Sequence, residues 1–304
     1  MVLLASLKCL RSFSRSNQHL RTTLYDSEIY DVSTCIFIHC HSLLFKHFGR
    51  IFEQHKNDDE ILLELLPILA NLMLDFCPQK SDLVELTLSD ITMILLNRHC
   101  PKFASLCLAC LINMSHQSNG SNRYKNEIIQ RISIRQIYEL VETYTNSTIG
   151  SNDNITYQVM CLLRNLVDEN NLLVEAKGDD IIKICHYWLC GNFNWFKKHT
   201  AEPKLYLTAI THILKNISSL PDGVTKLCSN EDLIRAIVEL LSDDDVNVKT
   251  QSSFIISNLL HEQATGKGFN TFHVHLTVTE RAGSRMPKSF KMLITAEMST
   301  IAQK

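Results

Sequence analysis

Four groups of residues in this sequence have types and spacings that could support metal or thiol chemistry. Zinc prefers cysteine and histidine ligands, a Cys-x-x-Cys pair can form a redox centre, and a run of acidic residues can open a calcium loop. The four groups are Cys35, His39, Cys40 and His41; Cys107 and Cys110; "SDDDVN" at 242–247; and His273 with His275. Whether any of them acts depends on the elements that position it.

The two histidine-containing groups lack the spacing of metal ligands. Cys40 and His41 are adjacent in the chain, whereas zinc ligands come as pairs separated by intervening residues. The "HVH" pair, His273 and His275, has no third ligand nearby. We therefore predict no metal site.

The other two groups are better explained by helix packing and by a turn. Cys107 and Cys110 lie among Leu and Ala in "CLACLINM", in the middle of a helical pattern. A reactive pair needs a helix start or a second pair, so we predict that both pack in the core. The acidic run lacks the glycine and the closing glutamate of a calcium loop, which predicts an exposed turn between helices.

No catalytic motif accompanies these residues. The sequence has no Gly-rich phosphate loop, no His-Glu-x-x-His and no Gly-x-Ser-x-Gly. We predict that the protein is not an enzyme and takes no cofactor.

Composition favours a helical protein of the cytoplasm and nucleus. Only 9 Gly and 6 Pro occur in 304 residues, which argues against a turn-rich β fold. Most of the 11 Cys lie in apolar helical runs, as reduced intracellular cysteine does. A net charge of −2 gives no sign of a nucleic-acid partner, and no apolar run is long enough for a membrane span.

An asparagine recurs near the end of five apolar helical patterns. The segments are "ILANLML", "LINMSHQ", "LLRNLVD", "LKNISSL" and "ISNLLHE", and their asparagines are Asn71, Asn113, Asn165, Asn216 and Asn258. Successive members are separated by 42, 52, 51 and 42 residues, and the longer repeats carry extra polar, loop-like sequence. A helical period near 42 predicts an all-α, armadillo/HEAT-type right-handed superhelical solenoid.

The stretch 230–263 shows the last two helices of one repeat. Asn230 is a candidate N-cap before "EDLIRAIVELL", and "VNVKTQSSFIISNLL" forms the long last helix. The first of these helices has a continuous apolar stripe, formed by Leu233, Ile237, Leu240 and Leu241.

We predict that the five asparagines line a partner-binding groove on the last helices. A side-chain amide offers a donor and an acceptor together, which matches a peptide group of an extended ligand. In the alternative, each asparagine bonds backbone or neighbours within the stack. Most positions two turns earlier or one turn later are polar, namely Glu64, Gln158, Gln251, His116, Asp168, Ser219 and His261.

Two segments depart from the repeat. Aligning the first helix places Ser12 at the asparagine position and leaves a surplus that matches residues 31–47, which we interpret as an insertion. After residue 263 the helical pattern gives way to alternation of the β type. We therefore predict a solenoid over 1–263 and a divergent, poorly ordered tail over 264–304.

The sequence resembles the armadillo repeat-containing protein eight family. The resemblance rests on "LASLKCLRSFSRSNQHLRT", on "DEILLELLPILANLMLDFCPQKSDLVE", and on the helices around Asn165 and Asn258. It covers roughly 1–30 and 48–263, which suggests a carboxyl-half fragment or isoform.

This resemblance implies a non-catalytic scaffold of the CTLH-type (glucose-induced-degradation) E3 ubiquitin ligase. In that family the armadillo groove holds the substrate receptor, and the opposite end docks the ligase core. The expected partners are therefore protein subunits of that ligase, with no nucleic acid and no membrane.

Other armadillo adaptors are the alternative. Nuclear-import adaptors place Trp four residues before the groove asparagine, where this sequence has Pro67, Ala109, Cys161, His212 and Phe254. Adhesion adaptors need a strongly basic groove, which the overall charge balance does not indicate.

Overall fold

The computed structural model describes residues 2–9, 11–12, 49–73, 80–116, 123–145, 153–167, 172–191 and 203–264. Every regular element in these ranges is helical and none is a strand, as predicted for an all-α chain. The chain forms two compact units, unit 1 over Met1–Leu162 and unit 2 over Leu163–Lys304.

Unit 1 begins with two short helical stretches and continues with longer helices. Its helices are α1 (2–9, with 11–12 also helical), α2 (49–55), α3 (Asp59–Leu72), α4 (Lys80–Asn97), α5 (Pro101–Ser115), α6 (Arg123–Arg131), α7 (Ile134–Thr145) and α8 (Asp153–Leu166), within which the boundary of the unit lies.

Unit 2 contains the remaining helices. They are α9 (Leu172–His186), followed by a π-helical turn (Tyr187–Gly191), α10 (Pro203–Ser218), α11 (Pro221–Cys228), α12 (Glu231–Leu240) and α13 (Val246–Ala264). We call α1, α3, α5, α8, α10 and α13 the last helices, because they end the predicted repeats.

Side-chain caps start three of these helices. The side chain of Asn230 accepts from the backbone N–H of Leu233 at 3.1 Å, so the predicted N-cap of α12 is confirmed. Asp245 accepts from Asn247 N–H at 2.8 Å and begins α13 in the same way. The acidic run is thus the predicted turn between two helices. At α3, Asp58 caps the amides that follow it.

The core of unit 1 is built where α5 packs against α3 and α4. Cys107 and Cys110 are fully buried there, and the Cys110 thiol lies 3.5 Å from the carbonyl of Leu66. Burial raises the pKa of Cys107 to about 12, against a weaker opposing effect of Arg98, and burial also raises the pKa of Cys110 well above its ordinary value. The predicted packing role of this pair is confirmed, because a buried protonated thiol is a small hydrophobe.

The core of unit 2 is built where α10 packs against α13, with α11 and α12 alongside. The predicted stripe on α12 (Leu233, Ile237, Leu240 and Leu241) is buried. At Gly223, α11 passes so close to the end of α10 that a Cβ would collide with the carbonyl of Ile217. Only glycine fits at this position without displacement of the backbone.

Several predictions fall outside the described residues. They concern the insertion at 31–47 with its Cys35, His39, Cys40 and His41, the histidines at 273 and 275, and the tail beyond Ala264. Helix α13 runs to Ala264, one residue past the predicted end of the solenoid. Among the helices the structure describes, none is long and apolar enough to cross a bilayer.

Candidate partner-binding surfaces

The predicted asparagines lie near the carboxyl ends of their last helices. Asn71 and Asn113 are in unit 1, and Asn165, Asn216 and Asn258 are in unit 2. Four carbonyls at the end of any α-helix lack partners within that helix. An asparagine amide at this place can therefore donate a hydrogen bond to a carbonyl at the end of a neighbouring helix.

Three of the asparagines donate across to the preceding repeat. Asn113 Nδ2 donates to the carbonyl oxygen of Ala70 at 2.8 Å, near the end of α3. Asn216 Nδ2 donates to the carbonyl oxygen of Val167 at 2.7 Å, immediately after α8. Each bond caps the carboxyl end of the previous last helix and fixes the spacing of two repeats.

The third bond, from Asn258, also reaches the carboxyl end of the preceding last helix, but its acceptor is a side chain. Asn258 Nδ2 lies 3.0 Å from Ser218 Oγ, and Ser218 is the last residue of α10. For Asn113, Asn216 and Asn258, the structure therefore shows bonding within the stack. Asn216 is only 5% exposed, which leaves little of its side chain for a partner.

Asn71 and Asn165 are half-buried, as are Asn113 and Asn258, whereas Asn216 is buried. Asn165 Oδ1 lies 3.5 Å from Arg164 Nη2, at the limit of a hydrogen bond. Binding of a partner by the five asparagines stays a prediction.

In unit 2, an exposed aromatic ring lies one turn before Asn258. Phe254 is 52% exposed, and Lys215 Nζ lies 6.0 Å from the centroid of its ring. A cation at this distance from a ring face interacts favourably with the ring. Lys215 on α10 and Phe254 on α13 thus form a contact between neighbouring last helices.

Two glutamines, each seven residues before an asparagine of the repeat, carry unsatisfied acceptors. The Oε1 atoms of Gln158 on α8 and Gln251 on α13 are buried and have no hydrogen-bond partner among the described residues. A buried acceptor without a donor costs free energy. Because both atoms are buried, an outside donor could reach either of them only after the glutamine side chain had rearranged.

Unit 1 has a cavity between α1, α3 and α5, with a volume of about 630 Å³. Its charged lining is Lys8, Arg11, Glu60, Glu64 and Lys102. Arg11 Nη1 lies 3.2 Å from Glu64 Oε2, with side chains 33% and 15% exposed. Basic and acidic side chains therefore both line this cavity, and the charges of Arg11 and Glu64 neutralise each other.

Among the described residues, no group of three or more His, Cys, Asp or Glu side chains is placed to hold a metal ion. The surfaces described above offer amides, one aromatic ring and charged groups.

The helical stack is similar to that of solved designed armadillo repeat proteins. A designed armadillo repeat protein solved in complex with the peptide (KR)4 superposes with a TM-score of 0.58 at 15% identity, covering 84% of this chain and 99% of that one. Another designed armadillo repeat protein has a TM-score of 0.56 at 15% identity, over 82% of this chain and 97% of that one. The fold is the armadillo-repeat fold. The predicted fold class is confirmed.

Two curated relatives that the chain matches carry the same name. The chain is 24% identical to mouse "Armadillo repeat-containing protein 8" over 271 residues, covering 87% of this chain and 35% of the relative. The Xenopus laevis protein of the same name is 23% identical over 271 residues, covering 87% and 32%. The chain therefore spans about a third of the length of the curated relatives it matches, and the predicted resemblance is confirmed. No protein-family model matches the chain.

The residue four positions before each asparagine differs in burial from one repeat to the next. Pro67 and Cys161 are buried, Ala109 and His212 are half-buried, and Phe254 is exposed. A row of exposed aromatic residues is therefore absent from these five positions.

Sequence reasoning missed two charged residues of the last helices. Arg11 and Lys215 were not predicted as surface residues of a site, whereas Glu64 was among the polar positions expected two turns before an asparagine. A signal for Lys215 was present, since 203–218 contains lysines and no acidic residue. The Arg11–Glu64 pair had no such signal, because 53 residues separate its members.

Proposed function

We propose that the chain is a non-catalytic scaffold of a CTLH-type E3 ubiquitin ligase, acting in the cytoplasm and nucleus. It would hold the substrate-receptor subunit along its last helices and join it to the ligase core for proteasomal degradation of substrates. The observation that carries the proposal is the similarity to Armadillo repeat-containing protein 8 over 87% of this chain.

The proposed mechanism is geometric. Inter-repeat bonds from Asn113, Asn216 and Asn258 hold successive last helices in register. Rigid, pre-ordered surfaces bind an extended segment at a lower entropic cost than mobile ones. The partner's backbone would meet side-chain amides such as Gln251, and its side chains would enter spaces between adjacent last helices.

An import adaptor receives less support. The (KR)4 peptide belongs to the designed protein named above. In this chain Phe254 is the one aromatic residue among the five positions four residues before the asparagines, and the amine of Lys215 already lies over its ring. A basic partner side chain would meet a like charge there.

The test is affinity purification of the full chain, and of the chain lacking 31–47, followed by mass spectrometry. We expect ligase-core or substrate-receptor subunits with the shortened chain, because removal of 31–47 restores one repeat to normal length. Import or adhesion partners from both proteins, with no ligase subunit, would refute the ligase assignment.

Variants on the last helices then test the groove. We expect Gln251→Ala, and the triple change of Asn165, Asn216 and Asn258 to Ala, to weaken partner recovery, by about 1 kcal/mol for each lost hydrogen bond. Thermal unfolding of each variant is the control, since Asn216→Ala also removes an inter-repeat bond whereas Gln251→Ala removes none that the structure shows. Unchanged partner affinity in the folded triple variant would refute a groove role for these asparagines.

A further inference from the structure

We propose that a cavity between α4 and α7 in unit 1 binds a protein segment in which an acidic side chain lies next to an apolar one. The cavity has a volume of about 540 Å³, and none of the described residues that line it belongs to a last helix. This surface is therefore separate from the last helices, and the inference does not rest on the proposed function.

One side of each helix lines the cavity. The contributing residues recur at spacings of three and four, from Ser89 to Asn97 on α4 and from Gln136 to Thr143 on α7. Residues at these spacings are neighbours on the surface of a helix. His99, after α4, and Arg131, the last residue of α6, complete the lining. The cavity is therefore the space between one side of α4 and one side of α7.

The apolar part of the lining comes from Met93, Leu96 and Leu140. Met93 is 51% exposed, whereas Leu140 is 9% exposed and belongs to the core. A single exposed apolar side chain is ordinary on a protein surface. Met93 differs because it lines a cavity whose volume is in the range of ligand-binding pockets. Its unbranched thioether side chain can adapt to the shape of an apolar group of a partner.

A capping box at the start of α7 fixes the side-chain amide of Gln136. Its Oε1 accepts from the backbone N–H of Ser133 at 2.9 Å and from the Ser133 hydroxyl at 3.0 Å, and the Gln136 N–H donates to that hydroxyl at 3.2 Å. Because a backbone N–H only donates, the amide oxygen must be the atom that faces Ser133. The Nε2 group of this half-buried residue has no hydrogen-bond partner in the described part of the chain. The cavity lining therefore includes a donor that the cap leaves unused.

The charged residues of the lining leave a positive charge. The lining contains one arginine and one glutamate, Arg131 and Glu139. Glu139 Oε1 accepts from Arg135 Nε at 3.0 Å, whereas the exposed Arg131 forms no ion pair with any residue that the structure describes. Glu142, the other acidic residue of α7, does not line the cavity. Arg131, Arg135 and Glu139 together therefore carry a net positive charge.

These groups match a carboxylate beside an apolar side chain. Hydrogen bonds from a guanidinium to carboxylate oxygens are charge-assisted and stronger than neutral ones, and the Nε2 group of Gln136 adds a donor in the same cavity. An apolar neighbour of the acidic residue would cover Met93. A single uncompensated cation suits one carboxylate, whereas a nucleic acid requires several cations for its phosphates. The chemistry of the lining therefore favours a protein segment.

The experiment selects a random peptide display library on the full chain and then removes every peptide that also binds the Arg131→Glu/Met93→Lys double variant. The subtraction leaves only peptides whose binding needs this cavity, whatever else the chain binds. Both side chains are exposed, so the double variant should fold, and thermal unfolding checks this. We expect the remaining peptides to be enriched in Asp or Glu adjacent to Leu, Ile, Met or Phe. An empty set after the subtraction, or a set without that enrichment, overturns the proposal.

Single variants then test the two donors by anisotropy of one selected, fluorescein-labelled peptide. We expect Arg131→Gln to weaken binding about tenfold, because a charge-assisted hydrogen bond becomes a neutral one. Gln136→Glu should also weaken binding several-fold, because its carboxylate keeps the cap at Ser133 and replaces the Nε2 donor by an acceptor. Arg50→Gln is the matched control, since Arg50 is an exposed arginine on α2 that does not line the cavity. Unchanged binding in Arg131→Gln or Gln136→Glu, or an equal loss in Arg50→Gln, overturns the proposal.

A double-mutant cycle tests direct contact between Arg131 and the acidic residue of the peptide. Replacing that acid by its amide should weaken binding to the unchanged chain about as much as Arg131→Gln does. The amide peptide should then bind the unchanged chain and the Arg131→Gln protein equally well. Fully additive losses would overturn the assigned contact. Recovery of ligase subunits through the last helices can succeed or fail without altering this result, so the two proposals are tested separately.

Discussion

Unit 1 and unit 2 present last helices of similar construction with different surface charges. In unit 1, Lys8, Arg11 and Lys102 share a cavity with Glu60 and Glu64, and one cation–carboxylate pair is formed there. In unit 2, α10 carries Lys204 and Lys215 and no acidic residue, whereas α13 carries both Lys249 and Glu262. The difference lies in surface residues, which change without disturbing the packing beneath them.

The inter-repeat bonds are what the two units share. Asn113 in unit 1 and Asn216 in unit 2 each donate to a backbone carbonyl at the end of the preceding last helix. A buried carbonyl must be paired, so this bond constrains the repeat wherever it occurs. Asn113, Asn216 and Asn258 thus maintain the spacing of the repeats in both units, while the charged residues around them differ between the units.

The largest expected effect tests whether the cores of the two units are equivalent. Burial raises the pKa of Cys107 in unit 1 and of Cys185 in unit 2 to about 12, from 9.0 in the unfolded chain. From pH 9 upward the unfolded chain loses these protons first, so stability is full below pH 9 and falls as pH rises through 12. Each thiol should cost about 3 kcal/mol by about pH 11.

Urea unfolding between about pH 8 and pH 11 measures this loss. We expect Cys107→Ala and Cys185→Ala each to reduce the loss of unfolding free energy over this pH range by a similar amount, whatever their stability at neutral pH. The decline, and not the absolute stability, is compared, because each truncation also leaves a cavity. A flattening by one variant alone would show that the two cores differ.

A smaller effect on stability is expected from alanine substitution at one glycine of each unit, and it should differ between the units. Gly223→Ala in unit 2 should destabilise by about 2 kcal/mol, because the new Cβ meets the backbone carbonyl of Ile217. Gly49→Ala in unit 1 meets the side chain of Leu86 at 2.9 Å, and Leu86 is exposed and can turn aside. We expect Gly49→Ala to change stability by less than about 1 kcal/mol, since alanine also favours the helix.

Thermal unfolding of both variants measures the contrast. Gly191→Ala is the control, because a Cβ at Gly191 meets nothing within 4 Å. A Gly223→Ala protein as stable as the Gly191→Ala protein would refute the close approach of α11 to α10.

The smallest expected effect is the coupling energy of one charged surface contact in each unit. A double-mutant cycle of Arg11→Met and Glu64→Gln should give a coupling of about 0.5–1 kcal/mol, because the ion pair is partly buried. The cycle of Lys215→Met and Phe254→Leu should give about 0.5 kcal/mol, since Phe254 is largely exposed. High salt should reduce both couplings.

These couplings are measured by chemical unfolding at two salt concentrations. A coupling at Lys215–Phe254 larger than at Arg11–Glu64 would reverse the comparison between units. It would show that Lys215 is committed to its ring and is less available to a partner.

Much of the helical arrangement was predictable from local sequence. The N-cap at Asn230 and the turn at 242–247 follow from interactions within a few residues, which the printed sequence exposes directly. The packing of Cys107 and Cys110 also followed from their apolar neighbours in the helix. The contacts between last helices were less predictable, because they form between helices of different repeats.

The sequence by itself determined the helical period, the caps and the positions of the repeated asparagines. Only the tertiary structure decided where the amides of Asn113, Asn216 and Asn258 point, because their partners lie 43, 49 and 40 residues earlier in the chain. The same holds for Arg11 with Glu64 and for Lys215 with Phe254. Local propensity sets each helix, whereas the choice among distant partners depends on how the packed cores bring helix ends and surfaces together.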